Sequence, residues 1–340
     1  MNILLTGGAG YIGTHICVKL IEQGYTPIVI DNFVNSSMRV FKNVEKITGQ
    51  EIKLYKGDVR DKELLQTIFK ENSIYAVIHL AGFKYVGESV ELPFMYYHTN
   101  LVSTLTLLGV MAEHKCFNLI FSSSCTVYGT PECSPVKEDY EGTPTSPYGR
   151  TKYFQEQMLM DICKSSELWN IVSLRYSNPI GSHESGLIGD HPCGKPNTLM
   201  AYMTGVVSGE YEKLSVFGND YDTADGTCIR DYIHIDDLSN AHVASIHSIK
   251  KGYHAYNIST GNPTSVLEMI GIFEKATGEN VKYEFTDRRD GDAGVICCDP
   301  SLAMDELKWK PEHTLEEACV SALKFERYVK NELNRYDDLT

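Results

Sequence analysis

The chain has 340 residues, which suggests two lobes, and its 42% hydrophobic content is ample for a buried core. The net charge of -14 argues against a general nucleic-acid or anionic-membrane surface, so an anionic ligand would need local arginines and backbone donors. No run approaches the ~18 apolar residues of a membrane span, and a strand predicted from residue 2 leaves no room for a targeting peptide; we therefore expect a cytoplasmic protein.

A strand, a glycine loop and a helix are predicted at the start. Asn2–Thr6 predicts a buried strand that runs into a G-x-x-G-x-x-G loop at residues 7–13, and apolar residues then recur at helical spacing until Gly24. Glycines in this setting permit a tight turn and let a diphosphate approach bare N–H groups at a helix N-terminus. The dinucleotide contacts expected here are Gly7, Gly10, Tyr11, Ile12 and Gly13.

A second predicted strand ends in an acidic residue. Thr26–Asp31 places a carboxylate about 20 residues after the loop, where an acid binds the adenosine ribose. Asp31 would repel a 2'-phosphate, and Asn32 and Phe33 follow it without an arginine. The sequence therefore predicts NAD rather than NADP as cofactor.

Alternating strands and helices continue through the first half. Apolar strands are predicted near residues 52–55, 76–82 and 118–121, between helical stretches. This alternation predicts an α/β fold with a doubly wound parallel Rossmann sheet, whose ligands lie at the carboxyl ends of the strands. The contacts expected at those ends are Asp58, Val59, Leu80, Ala81, Ser122 and Ser124.

A tyrosine and a lysine lie four residues apart on one predicted helix face, at Tyr148 and Lys152. An unperturbed phenol has a pKa of about 10, and nearby positive charge favours the phenolate. Lys152 and an oxidised nicotinamide would together bring the pKa of Tyr148 to about 7. The pattern alone is common on helix surfaces, but a dinucleotide loop upstream makes it a catalytic candidate.

The second half is less regular. Residues 181–197 carry four glycines and two prolines, typical of a loop-rich lobe. We predict an NAD-binding Rossmann domain over residues 1–178 and a smaller, loop-rich α/β substrate lobe over 179–340. A helical stretch at 231–248 and a strand at 255–258 are expected to return to the first domain.

Cysteines and histidines give no metal or disulfide pattern. The ten cysteines have no paired C-x-x-C spacing, and the eleven histidines form no H-x-x-x-H or H-E-x-x-H arrangement. The sequence therefore supports neither a metal site nor a secreted disulfide framework. We interpret His79, inside an apolar strand, as a packed core residue.

Motifs in order along nearly the whole chain resemble those of the UDP-glucose 4-epimerases, which are extended short-chain dehydrogenases/reductases. They are GGAGYIG (7–13), DN (31–32), GDV (57–59), AGFKYVGES (81–89), FSSSCTVYG (121–129), SPYGRTK (146–152), LRYSNP (174–179), FGNDY (217–221), DGT (225–227), RDYIH (230–234) and RRDGD (288–292). Each motif alone is unspecific, whereas the ordered combination is highly specific.

The resemblance implies a mechanism. Tyr148 would take the proton from the sugar 4-hydroxyl while the C4 hydride passes to NAD, and the 4-keto sugar would rotate and be reduced on its other face. Ser124 would hydrogen-bond the 4-oxygen, and Lys152 would hold the nicotinamide ribose and poise the phenol. Because NAD is regenerated in each turnover, it should stay bound.

The resemblance also implies binding residues and a homodimer through helices near residues 100–115 and 150–165. Further cofactor contacts would be Asn35, Ser36, Lys84, Asn100 and Ser177. Contacts with the UDP-hexose would be Lys84, Ser124, Tyr148, Asn178, Thr198, Leu199, Phe217, Arg230, Arg289, Asp292 and Ile296.

Some positions depart from the family pattern. Ser177 replaces an aromatic residue, and Thr198 replaces the second amide of an asparagine pair. Ile296, or Cys297 if the alignment shifts by one, stands where glucose-restricted members carry a tyrosine. The smaller side chain would leave volume for an N-acetyl group, so we hypothesise additional turnover of UDP-N-acetylglucosamine and UDP-N-acetylgalactosamine.

Three alternatives are weighed against the epimerase. Nucleotide-sugar 4,6-dehydratases carry an Asp-Glu pair, and related decarboxylases a Glu, where this chain has Cys125 and Thr126. A non-catalytic dinucleotide sensor typically loses the tyrosine that this chain retains as Tyr148. The preferred sugar, the tightness of NAD and the redox behaviour of Cys297 and Cys298 stay open at this point.

Overall fold

The computed structural model describes residues 1–192, 194, 196–289 and 291–337. Cys193, one of the ten cysteines, and Asp290 of the RRDGD motif lie outside the described residues. In chain order the elements are β1 (Asn2–Thr6), α1 (Tyr11–Glu22), β2 (Thr26–Asp31), α2 (Arg39–Thr48), β3 (Lys53–Lys56), α3 (Lys62–Glu71), β4 (Ile74–His79), α4 (Val86–Glu91), α5 (Pro93–Glu113), β5 (Asn118–Ser124), a 3-10 helix (Cys125–Tyr128), α6 (Pro147–Ser165), β6 (Asn170–Tyr176), β7 (Asn178–Ile180), α7 (Leu199–Ser208), β8 (Leu214–Phe217), β9 (Ile229–His234), α8 (Ile235–His247), β10 (Gly252–Ile258), β11 (Pro263–Ser265), α9 (Val266–Thr277), β12 (Tyr283–Thr286), β13 (Val295–Ile296), α10 (Ser301–Glu306) and α11 (Leu315–Asp337).

Seven parallel strands form the main sheet, in the order β10-β6-β5-β4-β1-β2-β3. The buried residues of β1 alternate between two cores, since Ile3 and Leu5 pack into one and Leu4 packs into the other. Successive side chains of a strand point to opposite faces, so both faces of this sheet are covered. The predicted doubly wound parallel Rossmann sheet is confirmed.

A smaller lobe follows β6. In it β9 pairs with β7, β11 and β13, while β8 pairs with β12. Its own core is formed mainly by α7, α9 and α11, with Met203, Met269 and Phe273 fully buried. None of the helices in the described part of the chain is both long and apolar enough to cross a bilayer.

The stretch predicted as helical at 231–248 divides into two elements. Its first four residues belong to β9, and α8 begins only at Ile235. Pairing with β11 at Asp231 and with β7 over residues 232–234 overrides the local helical pattern, because strand propensity depends on tertiary partners. The next strand, β10, joins the edge of the main sheet beside β6. The chain therefore passes between the two parts more than once.

Candidate active site

A cavity of about 1400 Å³ lies at the carboxyl ends of the main strands and extends to the smaller lobe. Parallel sheets place their ligand sites at this edge, because the loops that follow the strands meet there. Every residue predicted above to bind cofactor or substrate lines this cavity, with the exception of Asn100 and Phe217. The structure therefore brings together residues from all parts of the sequence.

The glycine loop forms a close-fitting turn between β1 and α1. Gly7 has a φ of +71°, and a Cβ there would lie 2.9 Å from the backbone nitrogen of Ala81. A Cβ at Gly13 would lie 2.5 Å from the Cα of Gly8. These positions therefore require glycine, and the turn leaves the N-terminus of α1 open to the cavity, as a diphosphate needs.

Asp31 at the end of β2 fixes the same loop. Its Oδ2 accepts from the backbone N–H of Ala9 at 2.9 Å, and its Oδ1 accepts from the N–H of Phe33 and the hydroxyl of Ser36. A carboxylate offers about four lone-pair sites, so these bonds leave capacity for a ribose hydroxyl. The structure places Asp31 as both a loop anchor and a cavity residue.

Asp58 forms a pair that the sequence did not reveal. Arg60 donates to both of its carboxylate oxygens at 2.8 Å, and Asn32 donates a third bond at 3.1 Å. The hydrogen bond from Arg60 is the main cause that lowers the pKa of Asp58 to about 2. Arg60 lines the cavity two residues after the predicted contact. The sequence signal that could have identified Arg60 was its position near the end of β3, two residues after Asp58.

Tyr148 and Ser124 form the predicted reactive pair. Ser146 caps α6 by accepting from the N–H of Gly149, and this fixes Tyr148 in the first turn of the helix, 8% exposed. Ser124 ends β5, and its hydroxyl accepts from the N–H and the hydroxyl of Thr126 at 3.2 and 3.0 Å. The Ser124 side chain interacts with the Tyr148 hydroxyl and lowers its pKa against the effect of burial. Both side chains line the cavity.

Burial, and not the charge of Lys152, dominates the environment of the phenol in the protein alone. The Lys152 Nζ donates to the backbone oxygen of Ser122 at 2.6 Å. Burial raises the pKa of Tyr148 to about 12, and Ser124 opposes this in part. Burial also lowers the pKa of Lys152 to about 8. Desolvation thus dominates, and the charges of the protein alone leave the phenol protonated near neutrality.

A buried carboxylate lies behind Lys152. Glu156, 1% exposed, accepts a short hydrogen bond from Ser123 and pairs with Arg175 at 2.6 Å. Its negative charge raises the pKa of Lys152 against the effect of burial. Sequence reasoning missed this residue, although it lies one turn beyond Lys152 on the same face of α6.

The predicted diphosphate contacts form a compact group in the smaller lobe. Asp292 lies between two arginines, with Arg289 Nε donating to its Oδ2 at 3.0 Å and Arg230 at 3.8 Å from its Oδ1. Phe217 does not line the cavity; its ring lies 4.5 Å below the guanidinium of Arg289. Asn197 accepts a further bond from Arg289 at 3.2 Å. Phe217 therefore packs under an arginine that lines the cavity.

Asn100 is the other predicted contact outside the cavity lining. It is fully buried, and its amide accepts from the N–H of Phe83 and donates to the Phe83 oxygen and to Thr151. Its role in the structure is to hold the loop that carries Lys84 at the cavity.

The positions that depart from the family pattern all face the cavity. Ser177 lies between β6 and β7, next to Asn178 at the start of β7, and Thr198 donates to Asp190 at 2.9 Å. Ile296 lines the cavity, whereas Cys297 is 1% exposed and does not line it. The structure thus favours Ile296 over Cys297 as the residue that faces the ligand.

His234, Asp236 and His313 form the group of potential metal ligands found in the described part of the chain. His234 Nδ1 accepts the N–H of Asp236, and His313 Nδ1 bonds to Asp237 at 2.8 Å. The two rings stack with centroids 4.3 Å apart, so their in-plane lone pairs run side by side instead of converging. The group lies outside the cavity lining and joins α8 to the segment before α11.

The chain is similar over nearly its full length to known proteins. A family model described as GDP-mannose 4,6 dehydratase matches residues 4–321. The UDP-glucose 4-epimerase of Dictyostelium discoideum is 48% identical over 333 residues, which cover 97% of each chain, and that of Bacillus subtilis is 48% identical over 328 residues, covering 96% of this chain and 97% of the relative. The crystal structure of UDP-glucose 4-epimerase from Bifidobacterium longum in complex with NAD+ and UDP has a TM-score of 0.96 at 48% identity, covering 97% of this chain and 99% of that chain.

Proposed function

This chain belongs to the UDP-glucose 4-epimerase family, and we propose that it interconverts UDP-glucose and UDP-galactose at the cavity described above. It is an NAD-dependent isomerase. One observation carries the assignment of the site: Tyr148 and Ser124 line the same cavity as a dinucleotide loop and a pair of arginines.

The described residues fit NAD. The turn at residues 7–13 is too tight for a Cβ at Gly7 or Gly13 and lines the cavity at the start of α1, and Asp31 lines the same cavity with a carboxylate that would repel a 2'-phosphate. Bound NAD would accept a hydride from the sugar C4 and return it. Lys152, whose ammonium donates to the Ser122 oxygen, would bind the nicotinamide ribose. The positive charge of the oxidised ring would favour the Tyr148 phenolate, which burial disfavours in the protein alone.

The protein side of the chemistry follows from the geometry. Tyr148 would remove the proton from the sugar 4-hydroxyl and later return it, while the Ser124 hydroxyl bonds the same oxygen. Arg230 and Arg289 would hold the diphosphate with their planar donor forks. With the nucleotide anchored by these two arginines, the 4-keto sugar would be free to turn and present its other face.

The alternative activities lack their acids. Cys125 and Thr126, at the start of the 3-10 helix, occupy the dehydratase and decarboxylase positions. Cys125 contacts Cys298, and the Thr126 hydroxyl donates to Ser124, so neither side chain can deliver a proton in the way a carboxylic acid does.

The decisive assay uses purified protein and UDP-galactose with no added cofactor. We expect UDP-glucose as product, because NAD is regenerated at each turnover and stays bound. A 4-keto-6-deoxy sugar would identify a dehydratase, and carbon dioxide from UDP-glucuronate a decarboxylase. The absence of any turnover in protein that contains NAD would contradict the proposal and favour a sensor.

A second activity is proposed from Ile296. Its side chain lines the cavity at the position where a tyrosine would fill more volume. We expect turnover of UDP-N-acetylgalactosamine by the wild type, and Ile296→Tyr should lose this turnover while retaining that of UDP-galactose. The measurement is kcat/KM for both sugars in both proteins. Equal losses for both sugars, or no wild-type turnover of the N-acetylated sugar, would contradict this role.

We further propose a homodimer through α5 and α6. Phe94, Leu105 and Phe154 are large apolar side chains on these helices, 80%, 53% and 43% exposed. Exposed apolar residues clustered on two adjacent helices are typical of an association surface. Light scattering should give twice the chain mass, and Leu105→Glu should shift it toward the monomer; a monomeric wild type would contradict the proposal. The cytoplasmic location stays a prediction from the sequence.

A further inference from the structure

Two buried cysteines face each other beside the catalytic serine. Cys125 follows Ser124 as the first residue of the 3-10 helix, and Cys298 follows β13. Both are free thiols, 3% and 0% exposed, and their Sγ atoms lie 3.0 Å apart. This pair takes no part in the mechanism described above.

The main chain on the Cys298 side is firmly held. The Ser259 hydroxyl donates to the Cys298 oxygen at 2.8 Å, and Val136 forms a parallel bridge with Cys298. The N–H of Val136 also donates to the Cys297 oxygen at 2.9 Å. A movement that brings the two sulfurs together must therefore be taken up mainly on the Cys125 side.

Closure of this pair would disturb Ser124. A disulfide has an S–S distance of about 2.05 Å, so the 3.0 Å gap must shrink by about 1 Å. Cys125 is bonded directly to Ser124, whose hydroxyl is oriented by Thr126 in the same short helix. A misplacement of about 1 Å at a reacting group can lower turnover roughly 100-fold.

We propose that Cys125 and Cys298 form an oxidative modification site, at which a hydroperoxide creates a disulfide that displaces Ser124 and reversibly stops turnover. Cys125 lines the cavity, whereas Cys298 does not, so a small oxidant that enters the cavity reaches Cys125 first.

The hydroperoxide is the two-electron oxidant that disulfide formation from two thiols requires. The Cys125 thiol loses its proton and its sulfur attacks a peroxide oxygen, which breaks the O–O bond and gives a sulfenic acid and water (or an alcohol). The Cys298 sulfur then attacks the sulfenic sulfur, the S–S bond forms, and the hydroxyl leaves as water with the Cys298 proton. Burial raises the pKa of the Cys125 thiol, so little thiolate is present and the first step is slow.

Cys297 provides a matched comparison one residue away. It is 1% exposed, similar to Cys298, but its sulfur donates to Asp231 at 3.6 Å. Substitution of either residue removes one buried thiol from the same segment, and only Cys298→Ser removes the partner of Cys125.

The experiment treats the NAD-containing wild type, Cys298→Ser and Cys297→Ser with hydrogen peroxide, and then blocks the remaining thiols by alkylation. Peptide mass spectrometry identifies disulfides, and turnover of UDP-galactose is measured before oxidation, after oxidation, and after a dithiol reductant. Each protein is compared with its own reduced activity. Cys298→Ala serves if the serine variant does not fold.

We expect a disulfide between the Cys125 and Cys298 peptides and a loss of kcat of roughly 10- to 100-fold, reversed by the dithiol, in the wild type and Cys297→Ser. Cys298→Ser should keep its activity after peroxide. The absence of this disulfide, full activity in the disulfide form, or the same reversible loss in Cys298→Ser would overturn the inference. Its activity readout rests on the proposed function, whereas the mass readout does not, so failure of one is distinguishable from failure of the other.

Discussion

The cofactor side and the substrate side of the cavity are assembled differently. On the cofactor side, Asp31 bonds a loop residue 22 positions away, within one strand-helix-strand unit. On the substrate side, Arg289 bonds Asn197, which is 92 positions away and lies in another segment of irregular chain. The comparison shows that a contact can be predicted from sequence when its residues belong to one local structural unit. Contacts between loops that are far apart along the chain are much harder to predict.

We expect the largest effect at Tyr148, where the cofactor side and the substrate side of the cavity meet. Tyr148→Phe removes only a hydroxyl, and we expect kcat to fall roughly 10²- to 10⁴-fold because proton transfer is lost, with NAD retained. Tyr256→Phe is the matched control, since Tyr256 is 1% exposed, lies outside the cavity lining and uses its hydroxyl to donate to Glu306. Turnover and bound NAD are measured for both. Similar kcat losses in the two variants would remove Tyr148 from its special role.

The cofactor side is tested at the glycine loop. In Gly13→Ala the new Cβ would meet the Gly8 backbone at 2.5 Å, so we expect a loss of about 1–3 kcal/mol in stability and a loss of bound NAD. In Gly10→Ala the nearest atom would be the Gly7 oxygen at 3.4 Å, so the fold should be kept. Thermal unfolding and NAD content check both. Equal stability of the two variants would contradict the packing argument.

The substrate side is tested at adjacent arginines. Arg289→Gln should raise KM for UDP-galactose roughly 10- to 100-fold with little change in kcat, because a charged hydrogen bond contributes about 1.5–3 kcal/mol. Arg288→Gln is the control, since Arg288 lies outside the cavity lining and pairs with Asp220 at 2.7 Å. Steady-state kinetics checks the contrast. An equal rise of KM in both variants would indicate a nonspecific charge effect.

The smallest effect per residue concerns acid stability. Burial lowers the pKa of four histidines to between about 3 and 4: His15, His79, His234 and His242. Below a pH of about 6.5 the unfolded chain binds protons that the folded chain does not, so stability is complete above that pH and falls toward pH 4. Each histidine contributes up to about 1.4 kcal/mol per pH unit.

Urea unfolding at pH 7 and pH 5 measures this dependence. Replacement of His79 by Gln should make the pH dependence less steep, even if it lowers stability at both pH values. His79 bonds the hydroxyls of Thr6 and Thr104, which agrees with its interpretation as a core residue. Equal stability at the two pH values in the wild type would contradict the prediction.

Much of the fold followed from local pattern. Asn2–Thr6 and Thr26–Asp31 were predicted with the bounds that the structure has, because continuous apolar runs flanked by glycine are unambiguous. Residues 231–234 at the end of the strand Ile229–His234 were predicted as helix, since their strand pairing depends on partners far away in sequence. Strand pairing between distant segments cannot be predicted from local periodicity.

The site shows the same limit. Tyr148 and Lys152 could be predicted because residues four positions apart share one face of a helix. The ion pairs of Glu156 and Arg60, and the packing of Phe217 under Arg289, became visible only with the tertiary structure. The burial that raises the pKa of Tyr148 in the protein alone was also not visible, because sequence shows neighbouring charge but not the depth of burial. Desolvation is a property of the assembled site.

A crystal structure with NADH and UDP-glucose would show whether Tyr148 reaches the sugar 4-oxygen, since the reduced cofactor prevents turnover of the bound sugar. We expect the Tyr148 hydroxyl within about 3.2 Å of that oxygen, with Ser124 bonded to the same oxygen. A sugar whose 4-oxygen lies beyond hydrogen-bonding reach of Tyr148, while the diphosphate contacts Arg230 and Arg289, would contradict it.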